Sequence, residues 1–312
     1  MRVATREQIE RALEGLDLLP MIEQAFAGYS AGRAVVPPVG ELLLEKGEVH
    51  IKYGYLRDDR YYVIKVASGF YDNAELGLPS SNGLMLVFEQ RTGELACVLL
   101  DEGRLTDVRT AVAGAVGGKH LAPKRVERIG IVGTGIQAHL QLEHLLPVVS
   151  CRDVLVWGRG QAQIDRYMAD MSPFGFRIEG TLRAEDILSA CSLVVTTTPS
   201  QQPLLHVSSL QPGTHITAVG ADTPEKQELD AGILARADIV VADSISQCRE
   251  RGEIHQALQA KAICEDKLVE LGDVIAGRAQ GRTSDEQISV VDLTGVAVQD
   301  VAIASAVFEA LG

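Results

Sequence analysis

Residues 128–138 read RIGIVGTGIQA, a short apolar run that ends in a glycine-rich turn and leads into a helical pattern. Gly133 suits the tight bend between a strand and a helix, and Gly135 lets the backbone come close to a pyrophosphate. Ala138 is small enough for close packing of the helix on the strand, while the free N–H groups of the helix start favour phosphate. The stretch predicts a dinucleotide-binding turn. By itself it is also compatible with an ordinary glycine-rich loop.

The sequence after this turn alternates between predicted strands and helices. The predicted strands are 129–132, 154–157, 193–197, 215–219, 239–242 and 289–293. This alternation is typical of a parallel sheet with crossover helices and supplies the context that the glycine motif requires. We therefore predict a Rossmann-type α/β domain with a doubly wound parallel sheet over residues 123–297, and the pair Pro123-Lys124 marks its start.

The residues before this domain have a different pattern. A helical pattern lies within residues 6–31, and several segments between 41 and 100 are typical of an antiparallel sheet. These predicted strands are 50–56, 61–68, 83–90 and 94–100. We expect Thr106 to cap a helix over 107–121. The predicted division of the chain is an α+β domain over 1–122, to which a final helix over 298–312 returns, and the dinucleotide domain over 123–297.

Composition excludes several classes of partner and site. The chain has 312 residues and a formal net charge of -13, which repels phosphate backbones and anionic membrane surfaces, so we expect neither nucleic acid nor membranes as partners. The five cysteines are scattered and form no C-x-x-C pair, which argues against a disulfide framework and a structural zinc site. Residues 1–15 are polar, have a helical pattern and lack the apolar core of a signal peptide. We expect a cytoplasmic protein without a bound metal.

Residues after the predicted strands indicate which dinucleotide is bound. Gly158 and Arg159 follow the second strand, where an acidic residue would bind the 2′-hydroxyl of NAD and a basic residue would accept the 2′-phosphate of NADP. Arg159 therefore favours NADP over NAD, although a solvated surface arginine remains an alternative. Residues 196–199 and 219–222 follow later strands at the edge where α/β folds bind ligands; a plain polar loop is the alternative for the first segment.

Lys65 and Arg109 are the charged residues whose positions most need an explanation. Lys65 interrupts an apolar strand, and alternation puts it on the face of Val63 and Ala67. If that face is buried, desolvation lowers the lysine pKa toward neutrality, as a proton-transfer group requires; if it is solvated, the lysine is ordinary. Arg109 is predicted in a first helical turn, where an anionic ligand or a nearby aspartate would explain it.

These residues occur in an order that resembles the ornithine cyclodeaminase/mu-crystallin family. The match extends over about residues 60–302 and consists of several segments that are specific in combination. The matching segments are Lys65, Thr106-x-x-Arg109-Thr110, Gly133-Thr134-Gly135-Ile136-Gln137-Ala138, Gly220-Ala221-Asp222-x-Pro224-x-Lys226-x-Glu228-Leu229-Asp230, Gly252-Glu253-Ile254 and Gly295-x-x-x-Gln299-Asp300.

The resemblance implies a homodimer joined through the β region of the first domain, which would also bind substrate, and an active site between that domain and the Rossmann domain. It implies that Lys65 and Arg109 hold a substrate carboxylate and that Asp222 is an acid/base residue. The positions that fall where the family contacts its dinucleotide are Arg109, Gly133, Gly135, Ile136, Gln137, Gly158, Arg159, Thr197, Val219, Gly220, Lys226 and Thr294.

The chain departs from the ornithine-specific pattern of the family, which has an arginine after the early prolines and an acidic element before the lysine. Here Val39 follows the prolines, and residues 50–54 read HIKYG. Lys52 would repel an ω-ammonium group, whereas it suits a second carboxylate or a carbonyl, as in iminosuccinate-type reductases. A solvent-facing Lys52 is the alternative.

The resemblance therefore implies an NAD(P)H-dependent imino-acid reductase or amino-acid dehydrogenase. The alternatives are a redox-neutral ornithine or lysine cyclodeaminase that retains its NAD, and a crystallin-like protein that binds NADP without catalysis.

Overall fold

The computed structural model describes the backbone of residues 1–312 and the side chains of all of them except Tyr71 and Ala74. The chain forms two compact units. The first unit comprises Met1–Arg109 and Val296–Gly312, and the second comprises Thr110–Gly295. The division falls inside a helix, whereas the sequence analysis placed the boundary at the end of that helix, between residues 122 and 123.

Strands and helices follow one another along the chain with short connections. The strands are β1 Arg2–Thr5, β2 Ala34–Val35, β3 Gly40–Leu44, β4 Gly47–Leu56, β5 Tyr61–Gly69, β6 Ser81–Glu89, β7 Leu95–Leu100, β8 Ile129–Val132, β9 Asp153–Trp157, β10 Arg177–Thr181, β11 Leu193–Thr196, β12 His215–Ala218, β13 Ile239–Ala242, β14 Leu268–Glu270 and β15 Ser289–Asp292. The helices are α1 Arg6–Leu13, α2 Leu18–Ser30, α3 Arg104–Leu121, α4 Ile136–His144, α5 Gln161–Met171, α6 Glu185–Ala190, α7 Ala231–Arg236, α8 Ile245–Cys248, α9 Gly252–Gln259, α10 Leu271–Ile275 and α11 Ala297–Ala310.

The first unit is built on a sheet with strand order β1-β7-β6-β5-β4-β2, and β3 also pairs with β4. The neighbours β4 to β7 are antiparallel, as the sequence predicted. The assignment of the N-terminal residues to a helical segment was wrong for β1, which pairs in parallel with β7. The pairing buries Ala4 completely, so tertiary contacts override the local preference of a short polar segment.

Helices α2 and α11 cover one face of this sheet. The final helix α11 packs against α2 and against β4, β5 and β6. Ile22 and Phe26 of α2, together with Ile303 and Val307 of α11, are completely buried. Their spacing of three or four residues places them on the helix faces that meet the core. This packing brings the first turn of α11 to the middle of the sheet.

Helix α3 begins earlier than the sequence predicted. An Asp101 carboxylate oxygen accepts the backbone N–H of Leu105 at 2.8 Å, which satisfies one of the free donors at the helix start. Residues 102 and 103 make the preceding turn with φ values of 54° and 87°. Thr106 is therefore inside α3 rather than its cap, and Arg109 lies beyond the first turn.

The second unit contains a parallel sheet with strand order β10-β9-β8-β11-β12-β15-β13-β14. The strand order reverses between β8 and β11, as in doubly wound α/β folds, which confirms the predicted fold class. The edge strands β10 and β14 were not predicted from the sequence, because the first is polar and the second is short. Since the strands are parallel, their carboxyl ends lie along one edge of the sheet. Among the described residues, every helix is too short or too polar to cross a bilayer.

Candidate active site

Two buried lysines face each other on neighbouring strands of the first unit. Lys52 of β4 is the direct cross-strand partner of Lys65 of β5, so both side chains project from the same face of the sheet. Lys52 is 5% exposed and Lys65 is 2% exposed. The solvent-facing alternative is excluded for both lysines.

The first turn of α11 supplies the counter-charge. The Asp300 carboxylate lies 3.0 Å from Lys65 Nζ, and Asp300 Oδ1 lies 3.0 Å from Arg109 Nε. Arg109 Nη1 also donates a hydrogen bond to Gln299 Oε1 at 2.9 Å. Arg109 therefore pairs with α11 rather than with the nearby aspartates that the sequence analysis considered. We call Lys52, Lys65, Arg109 and Asp300 the cationic cluster.

The cationic cluster shifts the ionisation of its members. Burial and the neighbouring charges of Arg109 and Lys52 together lower the pKa of Lys65 to about 7, against the opposing attraction of Asp300. Burial alone would raise the pKa of Asp300, but the field of Arg109, Lys65 and Lys52 holds that pKa below its ordinary value. The cluster thus combines three basic side chains with one carboxylate that stays ionised at neutral pH. It favours the binding of a further anionic group.

An acidic group lies farther along the same face of β4. His50 lies two residues before Lys52 in β4, so the two side chains share one face of the strand. His50 is 7% exposed. Its Nε2 atom lies 3.4 Å from Glu41 Oε1 and 3.8 Å from Glu48 Oε2. Two carboxylates therefore accompany His50, which lies two residues from Lys52 along β4. They come from β3 and from the start of β4 rather than from the position that the cyclodeaminase pattern uses.

The glycine turn of the second unit has the geometry of a dinucleotide cradle. Gly133 follows β8 with φ +117°, which side chains rarely tolerate, and a Cβ there would lie 2.6 Å from Thr197 Oγ1. A Cβ on Gly135 would meet open space, so the backbone is approachable where α4 begins. Ile136 is 54% exposed, and Ala138 is completely buried, as close helix packing requires. These residues fit a pyrophosphate at the start of α4.

The other predicted cofactor positions lie where strands of the same sheet end. Gly158 and Arg159 follow β9; Gly158 is buried, and Arg159 is exposed. Thr197 follows β11 and donates its hydroxyl to Val132 O at 3.0 Å. Val219 and Gly220 follow β12. The parallel sheet therefore brings these residues to the edge that carries the glycine turn.

Thr294 and Gln137 are positioned by neighbouring polar groups. Thr294 follows β15, is buried, and donates its hydroxyl to Asp243 at 3.0 Å. Gln137 lies on α4 and accepts a hydrogen bond from Gln141 at 3.3 Å. Both residues belong to the second unit, near the ends of β15 and β8 along the chain.

Asp222, the predicted acid/base residue, forms an ion pair with Lys226. Lys226 Nζ lies 2.7 Å from Asp222 Oδ1, and the side chains are 8% and 37% exposed, respectively. Arg251 Nη1 also donates a hydrogen bond to the Asp222 carbonyl oxygen at 3.3 Å. These contacts fix the loop after β12 and leave part of the Asp222 carboxylate accessible, which an acid/base group requires.

Comparison with known proteins places this architecture in a family. The model of the ornithine cyclodeaminase/mu-crystallin family matches residues 1–312. The protein belongs to the ornithine cyclodeaminase/mu-crystallin family. The chain is 40% identical to a protein of Sinorhizobium fredii that is named an uncharacterized cyclodeaminase, over 99% of this chain and 95% of that protein.

Two solved structures of related enzymes resemble the chain over nearly its whole length. An archaeal alanine dehydrogenase dimer with bound NAD has a TM-score of 0.91 at 33% identity, covering 99% of this chain and 95% of that one. The Δ1-pyrroline-2-carboxylate reductase of Thermococcus litoralis, in complex with NADH and L-proline, has a TM-score of 0.94 at 26% identity, covering 99% and 97%. Dehydrogenases and imino-acid reductases are thus among the relatives of the chain.

The site also contains three polar residues of the matching motifs for which the sequence indicated no role. Asp300 and Gln299 were noted as part of a motif, but the sequence did not show that they contact Lys65 and Arg109. Glu228 was noted in the same way, and it proves to be completely buried. The signal that could have identified these residues is the polar character of an otherwise apolar segment, since buried charges require partners.

Proposed function

We propose that this protein is an NAD(P)H-dependent oxidoreductase that transfers hydride between nicotinamide and the α-carbon of a small imino or amino acid. It would act as an imino-acid reductase or an amino-acid dehydrogenase. The observation that carries this proposal is the cationic cluster, in which a buried carboxylate holds Lys65 and Arg109 together. The related dehydrogenase and reductase support the reaction class.

The substrate carboxylate would bind to the cationic cluster. Lys65 and Arg109 would hold it through charge-assisted hydrogen bonds, which are strong when both partners are shielded from water. Lys52 lies beside Lys65 and would take the same carboxylate or a second oxygen-bearing group of the substrate. Asp300 would keep the two main cations in place before the substrate arrives, so that little reorganisation is needed.

The dinucleotide would bind to the second unit. Gly133, Gly135 and the start of α4 would hold the pyrophosphate, and Arg159 favours NADP because it suits a 2′-phosphate. The remaining contacts would come from Ile136, Gln137, Gly158, Thr197, Val219, Gly220, Lys226 and Thr294, and the family resemblance adds Arg109. When bound, the reduced nicotinamide supplies the hydride that reduces the α-carbon.

Asp222 and Lys65 are the groups that would manage the proton on the substrate nitrogen. A protonated imine is the electrophile for hydride addition, and the Asp222 carboxylate would stabilise its positive charge. Lys65 has a pKa of about 7, so it can exchange a proton at neutral pH. After hydride addition, the electron pair of the C=N π bond remains on nitrogen as the lone pair of the amine.

The test measures consumption of NADPH and NADH with a panel of imines. The panel contains pyrroline-2-carboxylate, piperideine-2-carboxylate, iminosuccinate, and pyruvate with ammonia. We expect turnover of at least one substrate and a loss of about 100-fold or more in kcat/KM in Lys65→Met. Lys46→Met removes an exposed lysine from the turn before β4 and is the matched control. If the wild-type protein turns over none of these substrates with either cofactor, the proposal is wrong. Dinucleotide binding without turnover would favour the non-catalytic alternative.

A redox-neutral cyclodeaminase is the second candidate. It is favoured by Glu41 and Glu48 beside His50, because these carboxylates could attract the ω-ammonium group of a diamino acid. Buried Lys52 opposes it through like-charge repulsion. Release of ammonia from ornithine or lysine without net change in the bound NAD would support this candidate. Glu41→Gln should then weaken the binding of the diamino acid but not the binding of NAD.

We also propose a homodimer formed through the sheet of the first unit. The edge strand β3 carries Leu42, Leu43 and Leu44, which are 56%, 74% and 50% exposed. Consecutive exposed leucines on an edge strand are unfavourable in water and are typical of a surface covered by another chain. The archaeal relative is a dimer, which supports a second copy as the partner.

A further inference from the structure

The loops after β11 and β12 are tied together by one buried carboxylate. Glu228 is completely buried, and its oxygens accept the backbone N–H of Thr198 at 2.6 Å and that of Gly220 at 3.0 Å. Thr198 lies in the loop after β11, whereas Gly220 lies in the loop after β12. Each oxygen of a single side chain thus fixes a different loop at the ligand-binding edge of the sheet.

A second buried carboxylate holds Glu228 itself. Glu253 accepts the backbone N–H of Glu228 at 2.6 Å and that of Leu229 at 3.1 Å. The segment after Glu253 is held in turn, because Asp292 accepts the N–H of Ile254 at 2.8 Å. The three carboxylic side chains are at most 1% exposed. The position of Glu228 is therefore determined by the interior of the second unit rather than by solvent.

The two loops also lie too close together for any side chain at position 220. A Cβ on Gly220 would lie 2.2 Å from Thr198 O and 2.5 Å from Glu228 Oε2. Backbone oxygens cannot yield as the end of a flexible side chain can, so glycine is required by the close approach. The close approach of Gly220 to Thr198 O and the double hydrogen bond of Glu228 both indicate that the spacing of these loops is tightly specified.

Strand order indicates which half of a dinucleotide these loops would face. The glycine turn after β8 takes the pyrophosphate in such folds, and the tip of β9 takes the adenosine ribose. Strands β11 and β12 lie on the opposite side of β8 from β9. The loops that Glu228 joins are consequently those of the nicotinamide half.

We propose that Glu228 is a positioning residue that sets the spacing of the loops after β11 and β12. By holding these loops in place, it would increase the affinity of the protein for the nicotinamide half of the dinucleotide. This inference rests on the dinucleotide site of the proposed function. It assigns a role to Glu228, which the proposed chemistry does not use. Glu228 would not contact the substrate, and its effect would pass through the backbone N–H groups of Thr198 and Gly220.

The charge state of Glu228 matters for this role. Burial raises the pKa of Glu228 to about 7, against hydrogen bonds that stabilise the carboxylate. Glu253 of α9 and Asp292 at the end of β15 face Glu228, and burial, together with the charge of Glu228, raises the pKa of each well above its ordinary range. A carboxylate accepts both loop N–H groups, whereas a protonated carboxyl presents an O–H that cannot. Protonation should therefore loosen the loops.

The experiment compares the binding of NADH and ADP-ribose to the full chain. ADP-ribose contains the pyrophosphate and the adenosine but lacks nicotinamide. In Glu228→Gln, an amide NH2 must face one loop N–H, so we expect NADH affinity to fall about tenfold or more while ADP-ribose affinity is unchanged. Glu225→Gln is the matched control, because Glu225 is exposed and lies three residues earlier in the same segment.

A second variant and a pH series keep the test decisive. Gly220→Ala separates the loops without changing charge and should give the same selective loss of NADH. Wild-type NADH affinity should decrease as pH falls through about 7, whereas Glu228→Gln should lack this dependence. Equal losses of NADH and ADP-ribose, or no loss in either variant, would overturn the proposal. If wild-type protein binds neither ligand, the dinucleotide site of the proposed function fails as well, which is a distinguishable result.

Discussion

The Lys65 ammonium of β5 and the Asp300 carboxylate of α11 lie 3.0 Å apart, and both side chains are 2% exposed. The same carboxylate contacts Arg109 at 3.0 Å. A buried carboxylate between two cations stabilises their charged forms and holds them at a fixed separation. The arrangement supports the proposal that the cationic cluster binds one more anion.

Replacement of Asp300 should destabilise the fold and alter the cluster. In Asp300→Asn, the buried cations lose their counter-charge, so we expect the free energy of unfolding to fall by about 3 kcal/mol in denaturant titrations. The pKa of Lys65 should fall further, because Asp300 raises it in the wild-type protein. Glu309→Gln changes an exposed carboxylate on the same helix and should leave stability within about 0.5 kcal/mol of wild type. Equal stability of the two variants would contradict the role of Asp300.

The pH dependence of catalysis should report the ionisation of Lys65. The lysine is protonated below its pKa of about 7 and loses its charge as pH rises through that value. Because the ammonium would bind the substrate carboxylate, we expect kcat/KM for the imine to decrease above about pH 7, since this ratio reports the free enzyme. Lys65→Arg keeps its charge throughout this range and should show a flatter profile, even if its activity is lower. An unchanged profile in that variant would assign the ionisation to another group.

Cofactor choice should depend on Arg159. The arginine follows β9, and a 2′-phosphate there would gain a charge-assisted hydrogen bond. In Arg159→Glu, we expect the ratio of NADPH to NADH affinity to fall about tenfold or more, measured by titration of protein fluorescence. Arg166→Glu makes the same charge change at an exposed position of α5 and should leave the ratio unchanged. A similar shift in both variants would indicate a general electrostatic effect.

The assembly should depend on the exposed leucines of β3. Leu43 is 74% exposed, and its replacement by glutamate would place a charge in any apolar interface formed there. We expect Leu43→Glu to shift the protein from dimer to monomer in light-scattering measurements. Leu182→Glu alters a leucine that is 56% exposed in the second unit and should leave the mass unchanged. A wild-type monomer, or a dimer that survives the Leu43 change, would refute this interface.

Local patterns determined much of the second unit. The apolar run before Gly133, the glycine spacing and the regular recurrence of strands sufficed to predict the parallel sheet, which the fold confirms. The ligand-binding edge of that sheet stays a prediction. Short edge strands were missed, because β10 is polar and its pairing with β9 is decided by contacts outside the segment. Arg159 favours NADP over NAD, and this preference stays a prediction from the sequence.

The candidate site was only partly contained in the sequence. Alternation in β5 showed that Lys65 shares a face with Val63, but it did not show whether water covers that face. The answer came from α11, whose Asp300 reaches Lys65 across 235 residues of chain. Likewise, a glutamate that joins two loops could not be recognised from its segment alone, since its partners are backbone groups on distant strands. Period and propensity act within a segment, so the sequence sufficed to predict most of the strands and helices. Burial and ion pairing depend on how these elements pack, so which charges meet follows from the tertiary structure alone.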